Sequence, residues 1–265
     1  MAKKKDPSIT FLNKFGYNVV KLPRVGIEPM DLIGKDDVTQ WLGPIRSVWK
    51  SSVAEPAPLP PRAAVAVNGQ KSDKLDLGFG MKILANALAA FGASVPSLDV
   101  AYHRARSVEF SFSDVTSTVV PPLDAGNYLA VGALNNANPV VEHYFNGDEA
   151  EAYLIIDVLK STSITVTATD EHGVEVGVDV PAIQGVVGVN VKVAPSSASN
   201  STIKYSGTTP VTFGFIVMGI QRDGDKWRLE GAQASGDLAF GASAMAAGKT
   251  EAAGILLGSG CRIRI

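Results

Sequence analysis

The 265-residue chain has one cysteine, three histidines and no apolar run approaching the ~20 residues that a membrane-crossing helix needs. The single thiol, Cys261, excludes an intramolecular disulfide framework and a thiolate metal cage, and it suits a reducing compartment. His103, His143 and His172 have no partner four residues on and no acidic cluster at metal-ligand spacing, so no metal site is expected. Charge is sparse as well. Charged residues make up 19% of the chain and the formal net charge is −2, which leaves no basic footprint for nucleic acid as a partner. Gly78-Phe79-Gly80 lacks the third glycine of a phosphate loop, and Gly241-Ala242-Ser243 lacks the second glycine of a nucleophile elbow. No cofactor and no enzyme chemistry are expected. Residues 1–6 carry lysines with no apolar run behind them long enough for a secretory signal, which predicts a cytoplasmic chain.

Hydrophobic residues reach 46% while aromatics are only 7%, so small and β-branched side chains dominate. Asp6-Pro7 opens a short amphipathic helix with Ile9, Phe11, Leu12 and Phe15 on one side and Gly16 at its end. Brief strands are expected at 17–22 and 30–33, separated by Pro23 and Pro29, with a third candidate over 38–49. The proline-rich stretch 54–62 reads as an extended loop or edge. Leu77, Met81, Leu84 and Leu88 recur at 4-3-4 spacing and predict a helix over 77–91, with Ser72 and Asp73 as candidate caps. A second helix is expected over 124–135.

The remaining signal has period two. Val108, Phe110 and Phe112 alternate with polar residues, as do Ile164, Val166 and Ala168. The same holds for Val174, Val176, Val178 and Val180, for Val189, Val191 and Val193, and for Val211, Phe213, Phe215 and Val217. Asp223-Gly224 then reads as a hairpin turn. The expected class is α+β, dominated by antiparallel sheet. Such alternation fits a soluble sheet with one face on a core and the other in water. It also fits membrane-spanning β-strands, which need ~9–11 residues with an apolar and a polar face. The segments 163–180 and 187–205, bridged by residues 181–185, have polar faces of mostly Ser, Thr, Gly and Asn. They are the best candidates for such a hairpin, with 47–67 and 105–120 as a second pair. From about Asp237 the chain changes character to a small-residue stretch, 241–248, and then ends in an aliphatic segment.

Residues 11–34, FLNKFGYNVVKLPRVGIEPMDLIG, resemble the start of bacterial gasdermins, and the total length and short aliphatic tail are similar to that family. The resemblance implies a twisted central antiparallel β-sheet with surrounding helices, like a gasdermin N-terminal domain, and a latent pore former, with a body over 1–240, a linker with a protease site over 241–250, and an autoinhibitory tail over 251–265. A partner protease would remove the tail. The body would then bind inner-membrane phospholipids, oligomerise with itself and extend hairpins into a β-barrel pore that kills the cell in antiphage defence.

Implied inserting residues are Ile164, Val166, Val174, Val176, Val178, Val189, Val191 and Val193. The cut is expected at Lys249, Met245 or Phe240, depending on the protease, and Lys249 also reads as a plain solvated lysine. Burying the tail's Ile255, Leu256, Leu257, Ile263 and Ile265 contributes roughly 1.5–3 kcal/mol each. Ordering each residue costs about 1–2 kcal/mol. The tail is therefore held mainly by its tether, which supplies an effective concentration on the order of mM. Lys3, Lys4, Lys5, Lys14, Lys21 and Arg24 are either headgroup contacts or a solvated surface. Trp41 and Trp49 are either interfacial anchors or core. Where family members carry a lipidated cysteine near the N-terminus, this chain has Ala2 and Lys3. The competing reading is a soluble β-rich binding module whose tail completes the fold.

Overall fold

A computed structural model describes residues 12, 14–72, 74–93, 98–147, 150–187, 189–224, 226–232 and 262–263. Its centre is a twelve-stranded antiparallel sheet built on two long neighbours, β10 (Glu151–Thr169) and β12 (Thr202–Asp223). On the side of β10 away from β12, three strands pair in succession. These are β2 (Asp31–Lys35) with residues 151–154, β8 (Thr116–Val119) with 157–160, and β7 (Ser107–Ser113) with 163–169. On the far side of β12, β13 (Lys226–Ala232) and β1 (Asn18–Arg24) pair with the C-terminal part of that strand, and β11 (Lys192–Pro195) with its N-terminal part. The half carrying β2, β8, β1 and β13 is called lower below, and the half carrying β7 and β11 upper.

Short strands complete the sheet. β3 (Thr39–Pro44) pairs with β2, β5 (Arg62–Ala63) with β8, and β6 (Leu75–Asp76) with β7. At the opposite margin β14 (Arg262–Ile263) pairs antiparallel with Gly231 and Ala232 of β13. A separate two-stranded sheet joins β4 (Trp49–Ser51) to β9 (Gly132–Leu134).

Helix α1 (Leu77–Ala90) forms where the 4-3-4 spacing predicts it, and it buries Met81, Ile83, Leu84, Ala87 and Leu88. Its cap is Asp76 rather than Ser72 or Asp73: the carboxylate accepts the Gly78 N–H at 2.9 Å, satisfying one of the donors a helix start leaves open. The helix lies directly on β7 through Gly80, where a Cβ would sit 2.2 Å from Val108 Cγ2. Leu12, in helical conformation, precedes Gly16 at φ +83°, the left-handed geometry expected after a short helix. Asp223 and Gly224 turn the chain from β12 into β13, with Gly224 at φ +60°. The proline-rich stretch is an extended loop up to Arg62.

Several expectations are corrected. The second helix, α2 (Pro122–Ala130), stops five residues short of Asn135, because the chain after it must return as β9 beside β4. Residues 163–180 are not one strand. β10 ends at Thr169, and beyond a single bridge to Glu175 the segment with Val174, Val176 and Val178 is irregular. Glycine makes the alternation misleading there: Gly173 turns the chain at φ +78°, and Gly177 packs so closely that a Cβ would lie 2.6 Å from the Ser199 carbonyl oxygen. The expected bridge between hairpin arms is itself helical, as α3 (Val180–Val187), with Pro181 in the first turn, where its missing N–H is harmless. Trp49 is core, buried with its ring edge-on to Trp227 at 5.5 Å, while Trp41 is half-buried and stacked under the Arg24 guanidinium.

Candidate functional site

The long strands carry two different side-chain patterns along one sheet. In the lower half of β10, Ala152 and Leu154 face a core with Trp49, Tyr128 and Ile220. Ile155 and Val158 face another with Ile33, Phe215 and Val217. Both faces are apolar. In the upper half, Ile164, Val166 and Ala168 are fully buried against α1 beside Val108, Phe110 and Phe112. The opposite face there is a row of hydroxyls: Thr167 bonds Thr202 at 3.2 Å, and Thr169 bonds Ser107 at 2.7 Å. This half therefore keeps one apolar and one polar face, the pattern of a strand between lipid and a water-filled lumen.

One charge interrupts the lower pattern. Asp157 sits at a bulge of β10, where Ile155 pairs with Val217 but Asp157 with Ile216, so β10 holds one residue more than its partner. Its carboxylate accepts the Tyr17 hydroxyl at 2.6 Å and the Ser117 hydroxyl at 2.8 Å, joining the chain entry to β8 through the central strand. Burial pushes the Asp157 carboxyl above the usual range, and the two hydroxyl donors offset part of that rise. Burial, together with the adjacent carboxylate, raises the Tyr17 phenol.

The margin at β13 is the other candidate surface. Beside it opens a cavity of about 460 Å3 whose lining includes Asn136, Asn146, Arg222, Lys226 and Trp227 and no carboxylate, histidine or thiol. It has no acid–base pair to offer a substrate. Among the described residues no group of three or more His, Cys, Asp or Glu side chains is placed to hold a metal ion. No described helix is long and apolar enough to cross a membrane.

Comparison with known proteins decides the family. The model of the Bacterial Gasdermin Family matches residues 20–228. The chain belongs to the bacterial gasdermins. Gasdermin bGSDM of Vitiosangium sp. (strain GDMCC 1.1324) is 40% identical over 212 residues, covering 79% of each chain. Gasdermin bGSDM of Lysobacter enzymogenes is 34% identical over 217 residues, covering 80% of this chain and 79% of the relative. A solved bacterial gasdermin from Bradyrhizobium tropiciagri shares the fold, with a TM-score of 0.61 at 15% identity over 86% of this chain and 91% of that one. Gasdermin membership implies a pore-forming effector of cell death rather than an enzyme.

Within this gasdermin the sequence-predicted residues scatter. Ile164 and Val166 lie in upper β10 and Val193 in β11, while Val191 is buried just before it. Val178 is buried, Val176 half-buried and Val174 exposed, all outside strands, and Val189 is fully exposed beyond the end of α3. Lys14 is exposed. Lys3, Lys4, Lys5, the candidate cut sites Phe240, Met245 and Lys249, and the tail residues Ile255, Leu256, Leu257, Cys261 and Ile265 lie outside the described residues. Ile263 falls in β14, opposite Gly231. Sequence periodicity does not single out Asp157, whose signal is a lone acid inside the otherwise apolar run Leu154-Ile155-Ile156-Asp157-Val158-Leu159.

Proposed function

We propose that this gasdermin is held latent by its tail, cytoplasmic when intact, and that proteolysis in the 241–250 linker frees residues 1–240 to bind the inner membrane, oligomerise and form a β-barrel pore in antiphage defence. The observation that supports the latch is the pairing of β14 with β13. An open sheet margin is a template for another chain, and here two tail residues pair with its last two, Gly231 and Ala232. Removing that strand frees the Gly231 and Ala232 backbone at the margin for a second copy.

Upper β10 and β7 supply the inserting material, through Ile164, Val166 and their neighbours. Their apolar face now rests on α1, and lipid is the one other environment that covers it without loss. In water, each uncovered side chain of this size costs roughly 1.5–3 kcal/mol. On this reading Val191 and Val193 join the second arm, and Val174, Val176, Val178 and Val189 enter a strand only after the segment around α3 unwinds. Lys14, together with Lys3, Lys4 and Lys5, meets anionic headgroups.

The same margin pairing also favours a second reading, a binding module whose tail completes the fold. One experiment separates them. A site for a specific protease is inserted between Gly241 and Glu251 of the full chain, and dye release from liposomes is followed before and after cutting. Intact protein leaves vesicles sealed and cut protein empties them. Sealed vesicles across anionic and zwitterionic compositions, with the cut body still folded, overturn the pore reading.

A further inference from the structure

Three columns of the main sheet around β10 are interrupted at one level. Along β10, Ser161 pairs with Val211 and Ser163 with Ser206, so Thr162 alone stands opposite the four residues Gly207, Thr208, Thr209 and Pro210. The last three of these are exposed, outside the ladder. On the other side of β10, β7 ends at Ser113 and β8 begins at Thr116. Between them Asp114 adopts φ 56°, a left-handed geometry that no strand continues through. Beyond β12 the break persists: the β1 ladder ends at Thr212 and the β11 ladder begins at Ser206.

Side chains span this break. The Ser161 hydroxyl lies 2.5 Å from the Ser113 carbonyl and 2.7 Å from the Ser163 carbonyl, and it accepts the Ser163 N–H at 3.0 Å. Both serines are buried. Lys204 above the break pairs with Asp114 at 3.3 Å. The Phe112 ring from above stacks on the Phe213 ring from below, with centroids 3.8 Å apart. Gly207 packs against Phe91 at the end of α1, with room for no Cβ.

We infer that this level is a transverse hinge: the upper strands, 107–113, 164–169 and 202–206, open as one unit about Ser161–Ser163 while the lower sheet stays folded. Each column has its own slack at the same height. A rotation there leaves the ladders on either side intact; it exchanges the hydroxyl bonds, the Lys204–Asp114 pair and the Phe112–Phe213 stack, and it shifts the apolar face carrying Ile164 and Val166 on α1. Local opening of contiguous units below the global unfolding free energy is general in proteins, and the aligned interruptions specify where the boundary falls here. As the place where a pore strand starts to extend, the hinge rests on the proposed function. As a property of the intact chain it stands alone.

Hydrogen exchange on the intact full-length protein tests it. Segments 164–169, 107–113 and 202–206 exchange at a common rate, about ten-fold or more faster than 152–160 and 212–220, with the step at 161–163. Protection running unbroken through 161–163, or three unrelated upper rates, overturns the hinge. Deleting Thr208, Thr209 and Pro210 restores one-to-one pairing with Thr162, and it slows upper exchange about ten-fold without altering 212–220. S161A acts in the opposite sense and serves where the deletion fails to fold: upper exchange rises while lower exchange is unchanged, and an equal rise in both halves overturns the proposal. A clear exchange step in a protein whose cut form leaves vesicles sealed refutes the pore reading alone. Leakage without a step refutes the hinge alone.

Discussion

The lower and upper halves of β10 and β12 are the same two strands, yet they are built for different neighbours. Below Ser161 the sheet is apolar on both faces, with Leu154 turned to one core and Ile155 to another. Above Ser163 one face is aliphatic and aromatic and the other is a hydroxyl row. A strand buried on both faces has nothing to gain from a bilayer beside a water-filled lumen, because one of its faces would meet water. A strand with a hydroxyl face loses little there. Under the proposed function, membrane competence belongs to half a strand, and its boundary lies where the faces change character.

The largest expected effect comes from the contact that ties the halves together. Phe213→Ala removes the partner of Phe112 and is expected to cost about 3–5 kcal/mol in urea unfolding. If the halves are distinct, its hydrogen exchange rises most in 107–113 and 164–169. A uniform rise would erase the distinction.

Asp157→Asn gives a smaller effect, one that depends on pH and is confined to the lower half. Burial raises the folded Asp157 pKa above its unfolded value, so its protonated form is favoured by folding. The contribution is therefore fully present below the ordinary carboxylate range and lost as pH rises through the raised value. Relative to the Asn variant, wild type is expected to gain stability as pH falls from 7 toward the ordinary carboxylate range near ~4. Urea midpoints of both proteins across that span check the sign, and a parallel pair of curves would refute it.

The smallest effect is expected at Lys204. Its pair with Asp114 spans the break, but Asp114 is largely exposed, so Lys204→Gln is expected to change stability by about 0–1 kcal/mol. Salt titration of the wild type should remove the same small increment.

How much of this was legible in the sequence differs between the halves for a physical reason. The upper strands announce themselves because Ile164-Thr165-Val166-Thr167-Ala168 has period two. The helix over α1 was equally plain, because its four large aliphatics repeat at 4-3-4 spacing. The α+β class and the Asp223-Gly224 turn followed from the same local signals. Lower β10 reads as a nearly continuous apolar run, which periodicity does not resolve. Val174 to Val178 misled because valine and glycine can write a strand pattern while the glycines take up turns and close approaches. The four residues beside Thr162 carried a usable signal, since Gly207 and Pro210 both disfavour a central ladder. The pairing of β14 with β13 had none, because an edge register joins residues about thirty positions apart through backbone alone.

That backbone grip has an evolutionary side. Strand addition draws its hold from main-chain groups that every residue but proline possesses, and side chains only refine it. Under the proposed latch, a tail fixed through Arg262 and Ile263 leaves the ten residues of the 241–250 linker free to drift in sequence. Selection by whatever protease the host supplies can then rewrite the trigger while the clasp stays as it is.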